Sequence, residues 1–225
     1  MLYWWSKFVL LGPLMRLFCR PEIKGAENVP LHGGAILASN HLAVADSFFL
    51  PLMLPRRVTF LAKREYFTEP GVRGWFKKQF FTGVGQVPVD RSGGSAARAA
   101  MDTAVRLLGE AKLLGIYPEG TRSLDGRLHR GHTGVASLAL STGALVVPVA
   151  LLGTDQVQPV GKKLPRLARV EVRFGEPLDF SRYDGLEGSA AIRRAVTDEV
   201  MDAIAELSGQ VYVDRYHQRP GSQAA

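Results

Sequence analysis

The sequence holds a single cysteine, Cys19, among 225 residues. That excludes an internal disulfide framework and suits a reducing compartment. It also lacks a long uninterrupted apolar run. Lys7 and Arg16 break the greasy first segment, residues 1–20, short of the ~20 consecutive apolar residues that a bilayer-spanning helix needs. The same segment has no initial cationic region and no small-residue cleavage site, which argues against a signal peptide. Acidic residues are the scarcer charge, 21 against 28 lysines and arginines, for a formal net charge of +7. Such an excess favours a polyanionic partner: nucleic acid, anionic lipid or a phosphorylated small molecule. No P-loop, zinc-ligand spacing or RNP-like aromatic strand is present, so nucleic acid is not the expected partner. His129 and His132 sit three apart but have no third or fourth ligand, and Arg127 and Arg130 would repel a cation, so no metal is expected.

A 46% hydrophobic share beside 22% charged residues argues for a packed core and against disorder. The length suits one domain, here residues 21–218, preceded by segment 1–20 and followed by a tail, 219–225, expected to fray. Segment 1–20 mixes Trp4, Trp5, Leu-rich stretches and Lys/Arg, the composition of an interfacial membrane-anchoring helix, with Gly12-Pro13 splitting it into a pair. A helix simply packed on the domain is the competing reading. Strands are expected near 21–26, 34–39, 57–62, 86–89, 112–117, 144–151 and 169–174. Helices are expected after residue 44 and over 72–81, 95–111, 134–141 and 189–207. Strands alternating with helices imply an α/β domain with a central, mostly parallel or mixed sheet flanked by helices. Val72 to Phe81 carries apolar residues at 72, 75, 76 and 80 with Arg73, Lys77 and Lys78 between them. Packing on the core is favoured there over a membrane-facing or channel-lining role.

Two islands carry chemistry. Asn40-His41-Leu42-Ala43-Val44-Ala45-Asp46 follows an apolar strand. Residues five apart lie ~140° apart around a helix, so His41 and Asp46 meet only if His41 lies in the loop and Asp46 in the first helical turn. They then form a base and the carboxylate that orients it; otherwise Asp46 is a first-turn acid and His41 a polar loop residue. The second island, Tyr117-Pro118-Glu119-Gly120-Thr121-Arg122-Ser123, also follows an apolar strand. Gly120 allows a tight turn, Thr121 offers a hydroxyl and Arg122 a fork that matches phosphate. A turn held by a Glu119–Arg122 ion pair is the plainer alternative. Both islands lie past strand carboxyl ends, where open α/β sheets place ligands.

Asn40-His41 with Asp46, then Val87-Pro88-Val89-Asp90-Arg91, then Tyr117 to Arg122, then Val146-Val147-Pro148-Val149-Ala150 resemble, in order and spacing, the four blocks of the glycerolipid acyltransferases. Within them the closest resemblance is to the 1-acylglycerol-3-phosphate O-acyltransferase family. It covers about residues 20 to 180. The resemblance implies His41 as general base and Asp46 as its partner. It implies an acceptor-phosphate region of Arg91, Glu119, Gly120 and Arg122, with Thr121 in the same turn and Lys63 near the pocket, and an acyl site supported by the Val-Pro block. It further implies acyl-CoA or acyl carrier protein as donor, no cofactor, and lysophosphatidic acid as acceptor with phosphatidic acid as product; the same chemistry on glycerol 3-phosphate, another lysophospholipid or a glycolipid is the alternative. Membrane lipids would be the partner, at the cytoplasmic face of the cell membrane, with monotopic or peripheral attachment. The absence of Gly-x-Ser-x-Gly, and the position of Cys19 in the expected anchor, favour direct transfer over an acyl-enzyme.

Overall fold

The computed structural model describes residues 4, 6–89, 96–159 and 166–217. The chain opens with a π-helical stretch, Ser6–Leu11, that runs into α1 (Gly12–Cys19), followed by β1 (Glu22–Lys24). The winding changes at Gly12-Pro13, where the proline has no N–H to continue the i→i−4 ladder. Next come β2 (Ala35–Ser39), α2 (Asp46–Met53), β3 (Val58–Lys63), α3 (Glu65–Thr68), α4 (Gly71–Gly83) and β4 (Gln86–Val89). The second half holds α5 (Ala96–Gly109), β5 (Leu113–Ile116), β6 (Leu128–His129), α6 (Gly134–Thr142), β7 (Leu145–Leu152), α7 (Thr154–Val157), β8 (Glu171–Phe174), α8 (Ala190–Ser208) and β9 (Tyr212–Val213). Residues 218–225, the expected tail among them, lie outside the described residues.

Seven strands form one sheet in the order β1-β8-β7-β2-β5-β3-β4. Every junction is parallel except β7–β8, so the expected mostly parallel α/β layering is what forms. β2 lies at the centre and every one of its five residues is buried, as a strand covered by helices on both faces requires. Its alternation divides the core. Ile36 and Ala38 pack with α5, α6 and α8 through Leu107, Val135, Val200 and Ile204. Ala35 and Leu37 pack on the other face with Phe49 and Leu50 of α2.

The N-terminal helical segment is held to the domain through Lys7 and Cys19. Lys7 is buried, and its ammonium donates to the carbonyls of Pro51 and Leu54 at the end of α2. Phe8, Val9 and Leu17 are exposed. Among the described residues no helix is long and apolar enough to cross a membrane. α4 departs from expectation. Core packing was expected for Val72, Trp75, Phe76 and Phe80, yet all four are exposed, while Gly74 and Gly83 are the buried residues of this helix. Spacing reports which residues share a face, and the neighbouring elements decide where that face points.

Asn40 extends the β2–β7 pairing by one rung. Its Oδ1 accepts from the Leu151 N–H at 2.8 Å, and its Nδ2 donates to the Leu151 carbonyl at 3.0 Å and to Gln210 Oε1 at 2.8 Å. With only 1% of its surface exposed, loss of the amide strands buried donors and acceptors. Asn40→Ala is therefore expected to lower the unfolding free energy by ~1–3 kcal/mol, read as a lower denaturant midpoint at unchanged slope.

Candidate active site

β2 and β5 pair in parallel with Ala38 opposite Ile116, so the loop after Ser39 and the turn after Ile116 leave the sheet side by side. The Ser123 N–H donates to the His41 carbonyl at 2.7 Å and ties the two together. Within the first loop Asp46, the first residue of α2, is fully buried. Its Oδ2 accepts from the Leu42 and Ala43 amides at 2.7 and 2.8 Å, and lies 2.9 Å from His41 Nδ1. A carboxylate accepts, so Nδ1 carries the ring proton and Nε2 keeps its lone pair. The spacing of the loop thus brings His41 and Asp46 together, rather than leaving Asp46 as a helix-start acid alone.

The imidazole is fixed by stacking as well. The His41 ring lies on Tyr117 with centroids 3.8 Å apart and planes 7° from parallel, and Tyr117 stacks in turn on Phe60 at 5.3 Å. The Tyr117 hydroxyl and Ser47 Oγ are 3.1 Å apart. Burial, and then the charge of Asp46, push the Tyr117 phenol well above its usual range, so it remains neutral and acts by contact. Nothing in the sequence marked Tyr117, Phe60 or Ser47 for this role beyond the position of Tyr117 at the head of its motif.

The second motif forms a tight turn. The Gly120 N–H donates to the Tyr117 carbonyl at 2.9 Å, and Gly120 adopts φ 71°, the left-handed region where glycine carries no Cβ penalty. A Cβ there would also meet the His132 ring at 3.0 Å. Glu119 is 2% exposed, and its Oε1 accepts the His129 N–H at 2.8 Å. Glu119 Oε2 has no partner among the described residues. The expected alternative of a Glu119–Arg122 ion pair does not occur. Burial raises the Glu119 carboxyl from 4.5 to about 7, against the opposing pull of the His129 and His41 amides.

Arg122, Thr121 and Gly120 line, with His41, a cavity of about 740 Å³ that runs between the sheet and α5. Its far walls are apolar, and on α5 the small side chains of Ala97, Ala100 and Ala104 leave the space open. Arg91 and the side chain of Lys63 lie outside the described residues; Lys63 is the last residue of β3. The Val-Pro block forms the interior of β7, and none of its residues is among those lining the cavity. Cys19 is buried at the end of α1 and does not line it either. Among the described residues no cluster of His, Cys, Asp or Glu is arranged to hold a metal ion.

The sequence did not reveal the C-terminal strap that backs the motif turn. β9 pairs with β6 (Leu128↔Tyr212), Gln210 reaches Asn40, and Tyr216 stacks on His132 at 4.7 Å. The His132 N–H donates to the Pro118 carbonyl at 2.8 Å. His129 points its Nε2 at Asp125, 3.0 Å away, so this histidine helps to shape the loop after the turn. The chain's two-residue strands are too short to show any alternation.

The folded chain retains the Glu119 proton at pH values where the unfolded chain has lost it. Stability therefore falls as pH rises from 4.5 toward about 7. Glu119→Gln removes this slope. Relative to wild type, the variant is expected to gain on the order of 2–3 kcal/mol between about pH 4.5 and 7.5, measured by denaturant unfolding at the two pH values.

Residues 20–152 match the family model described as Acyltransferase. The chain is 32% identical over 187 residues to the chloroplastic 1-acyl-sn-glycerol-3-phosphate acyltransferase LPAT1 of Arabidopsis thaliana, covering 82% of this chain and 50% of that one. It is 29% identical over 186 residues to the 1-acyl-sn-glycerol-3-phosphate acyltransferase of Bacillus subtilis, covering 80% of this chain and 86% of that one. The chain thus spans about half the length of the plant relative and most of the bacterial one. It also resembles the crystal structure of the 1-acyl-sn-glycerophosphate (LPA) acyltransferase PlsC from Thermotoga maritima, with a TM-score of 0.61 and 27% identity over 85% of this chain and 73% of that one. The family match encloses both the His41–Asp46 loop and the turn from Pro118 to Arg122, and the chain belongs to the acyltransferase family.

Proposed function

We propose that the protein transfers a fatty acyl group from a thioester, acyl-CoA or acyl carrier protein, to the sn-2 hydroxyl of 1-acylglycerol 3-phosphate, giving phosphatidic acid. The observation that carries this reading is His41: Nδ1 is held by Asp46, and the ring opens onto an apolar cavity beside Arg122. A hydroxyl poised to attack needs a base with a free lone pair, a phosphorylated acceptor needs a cationic fork, and an acyl chain needs an apolar slot. Nε2 takes the proton from the glycerol hydroxyl as its oxygen attacks the thioester carbonyl. The tetrahedral oxyanion then collapses, the C–S bond breaks, and the thiolate takes the proton back from Nε2. Asp46, held at 2.9 Å from Nδ1, stabilises the imidazolium in between. Arg122, with Gly120 and Thr121, receives the acceptor phosphate; Arg91 and Lys63 join them in the reading carried by the motif resemblance. No cofactor enters the scheme. The plant and bacterial relatives carry the same activity in their names, which supports the choice of acceptor.

The exposed Phe8, Val9 and Leu17 of the N-terminal helical segment fit a peripheral or monotopic anchor at the cytoplasmic face of the cell membrane. Lipid substrates would reach the enzyme there.

Incubation with labelled acyl-CoA and lysophosphatidic acid, with glycerol 3-phosphate in parallel, tests the reading. Product from glycerol 3-phosphate alone would reassign the acceptor, and no product from either would refute acyl transfer to these acceptors. His41→Ala is expected to lower turnover by ~10²–10⁴-fold, and a variant retaining more than about a tenth of wild-type turnover contradicts the base assignment. For Arg122→Ala the expected change is a raised KM for the phosphorylated acceptor, with a smaller effect on kcat; an unchanged KM would remove Arg122 from the phosphate site.

A further inference from the structure

α4 is an amphipathic helix mounted with its apolar side outward. At ~100° per residue, Val72, Trp75, Phe76 and Phe80 fall within an arc of roughly 140°, with Gly74 and Phe81 on the opposite side. The outward four are 73%, 56%, 63% and 42% exposed. The inward side is what holds the helix: Gly74 is buried against the Glu69 backbone, and Phe81 stacks on Tyr66 at 4.8 Å. Four large apolar side chains gathered on one short helix form a patch, unlike the single exposed leucines that any soluble surface carries.

We infer that α4 docks this face on an anionic lipid surface, as a membrane contact separate from the N-terminal segment. Charge selects the occupant. Arg73, Lys77 and Lys78 flank the apolar arc, placed to reach headgroup phosphates while the aromatic rings enter the acyl boundary. Of these, Lys77 pairs with Glu69, leaving Arg73 and Lys78 as the cations on either flank. A second protein copy would have to bury these flanking charges at the rim of a small patch, whereas a phosphate-rich surface pairs with them.

Position adds a functional reason. Phe81 and Tyr66, on the inner side of the same helix and its neighbour, line the cavity that holds His41. α4 packs beside β4, the strand at one edge of the sheet, whereas the N-terminal segment leads into β1 at the other. Two contacts at opposite edges fix the orientation of the domain on the bilayer, where one contact leaves it free to swing. The docking itself follows from exposure, spacing and charge. Only its link to substrate entry rests on the proposed acyl transfer.

The test uses the full chain and sedimentation with sucrose-loaded vesicles, either phosphatidylglycerol mixed with phosphatidylcholine or phosphatidylcholine alone. Trp75→Ser combined with Phe76→Ser is expected to weaken partition to the anionic vesicles at least tenfold. Arg73→Gln combined with Lys78→Gln is expected to weaken partition to anionic vesicles only, with the difference vanishing at high salt. A third variant, Trp4→Phe with Trp5→Phe, leaves Trp75 as the single tryptophan. Its emission is expected to shift to the blue on anionic vesicles and to be quenched by brominated lipid, a readout that needs no destabilising change in α4. Wild-type partition by the Trp75/Phe76 variant, or no spectral response of Trp75, overturns the inference. So does a wild-type dimer in light scattering that the Trp75/Phe76 variant loses while still binding vesicles, since the face then belongs to a second copy. Activity on short-chain, water-soluble donor and acceptor is expected to survive in the Trp75/Phe76 variant, so failed docking and failed acyl transfer give different results.

Discussion

The parallel pairing of β2 with β5 is the constraint on which the site depends. It brings residues about 75 positions apart in sequence out of the sheet as neighbours, the His41 loop from one strand and the Pro118–Arg122 turn from the other. Everything local then tightens that adjacency. The Ser123 amide holds the His41 carbonyl, the Tyr117 ring lies flat on the imidazole, and Asn40 ties the end of β2 to β7 and to Gln210. A parallel sheet suits this purpose because all its carboxyl ends open on one side, where loops can differ without disturbing the ladder below.

Two buried acids flank this junction and are treated differently. Asp46 collects the His41 ring and two loop amides on Oδ2, around which the loop is shaped, while its buried Oδ1 has no partner among the described residues. Glu119 Oε1 accepts from the His129 amide, and burial raises its carboxyl to about 7. The first arrangement fixes the His41 ring. The second leaves a carboxyl that changes charge near neutrality, three residues before Arg122 in the chain.

The cavity and α4 share one economy of construction. Alanines at 97, 100 and 104 leave the space beneath α5 unfilled, and Gly74 lets α4 sit close to the chain before it with its large side chains turned away. Small residues thus decide both where apolar volume is left empty inside and where apolar surface is left bare outside.

The sequence by itself determined the order and type of the long elements, because hydrophobic periodicity is a local property: 35–39, 58–63, 96–109 and 190–208 form nearly where the spacing predicts. It also placed His41 and Asp46 within reach of one another, since a histidine in the loop and an aspartate at the helix start follow from where the apolar run ends. Only the tertiary structure decided which strands are neighbours, that Tyr117 and Phe60 form the stack behind His41, and that residues 210–217 return to brace the turn. Those contacts join positions dozens of residues apart, and no short window of sequence contains both partners. The same holds for α4. Its spacing identified the apolar face, but which way that face points was settled by Gly74 and Phe81 packing inward against α3 and the cavity wall.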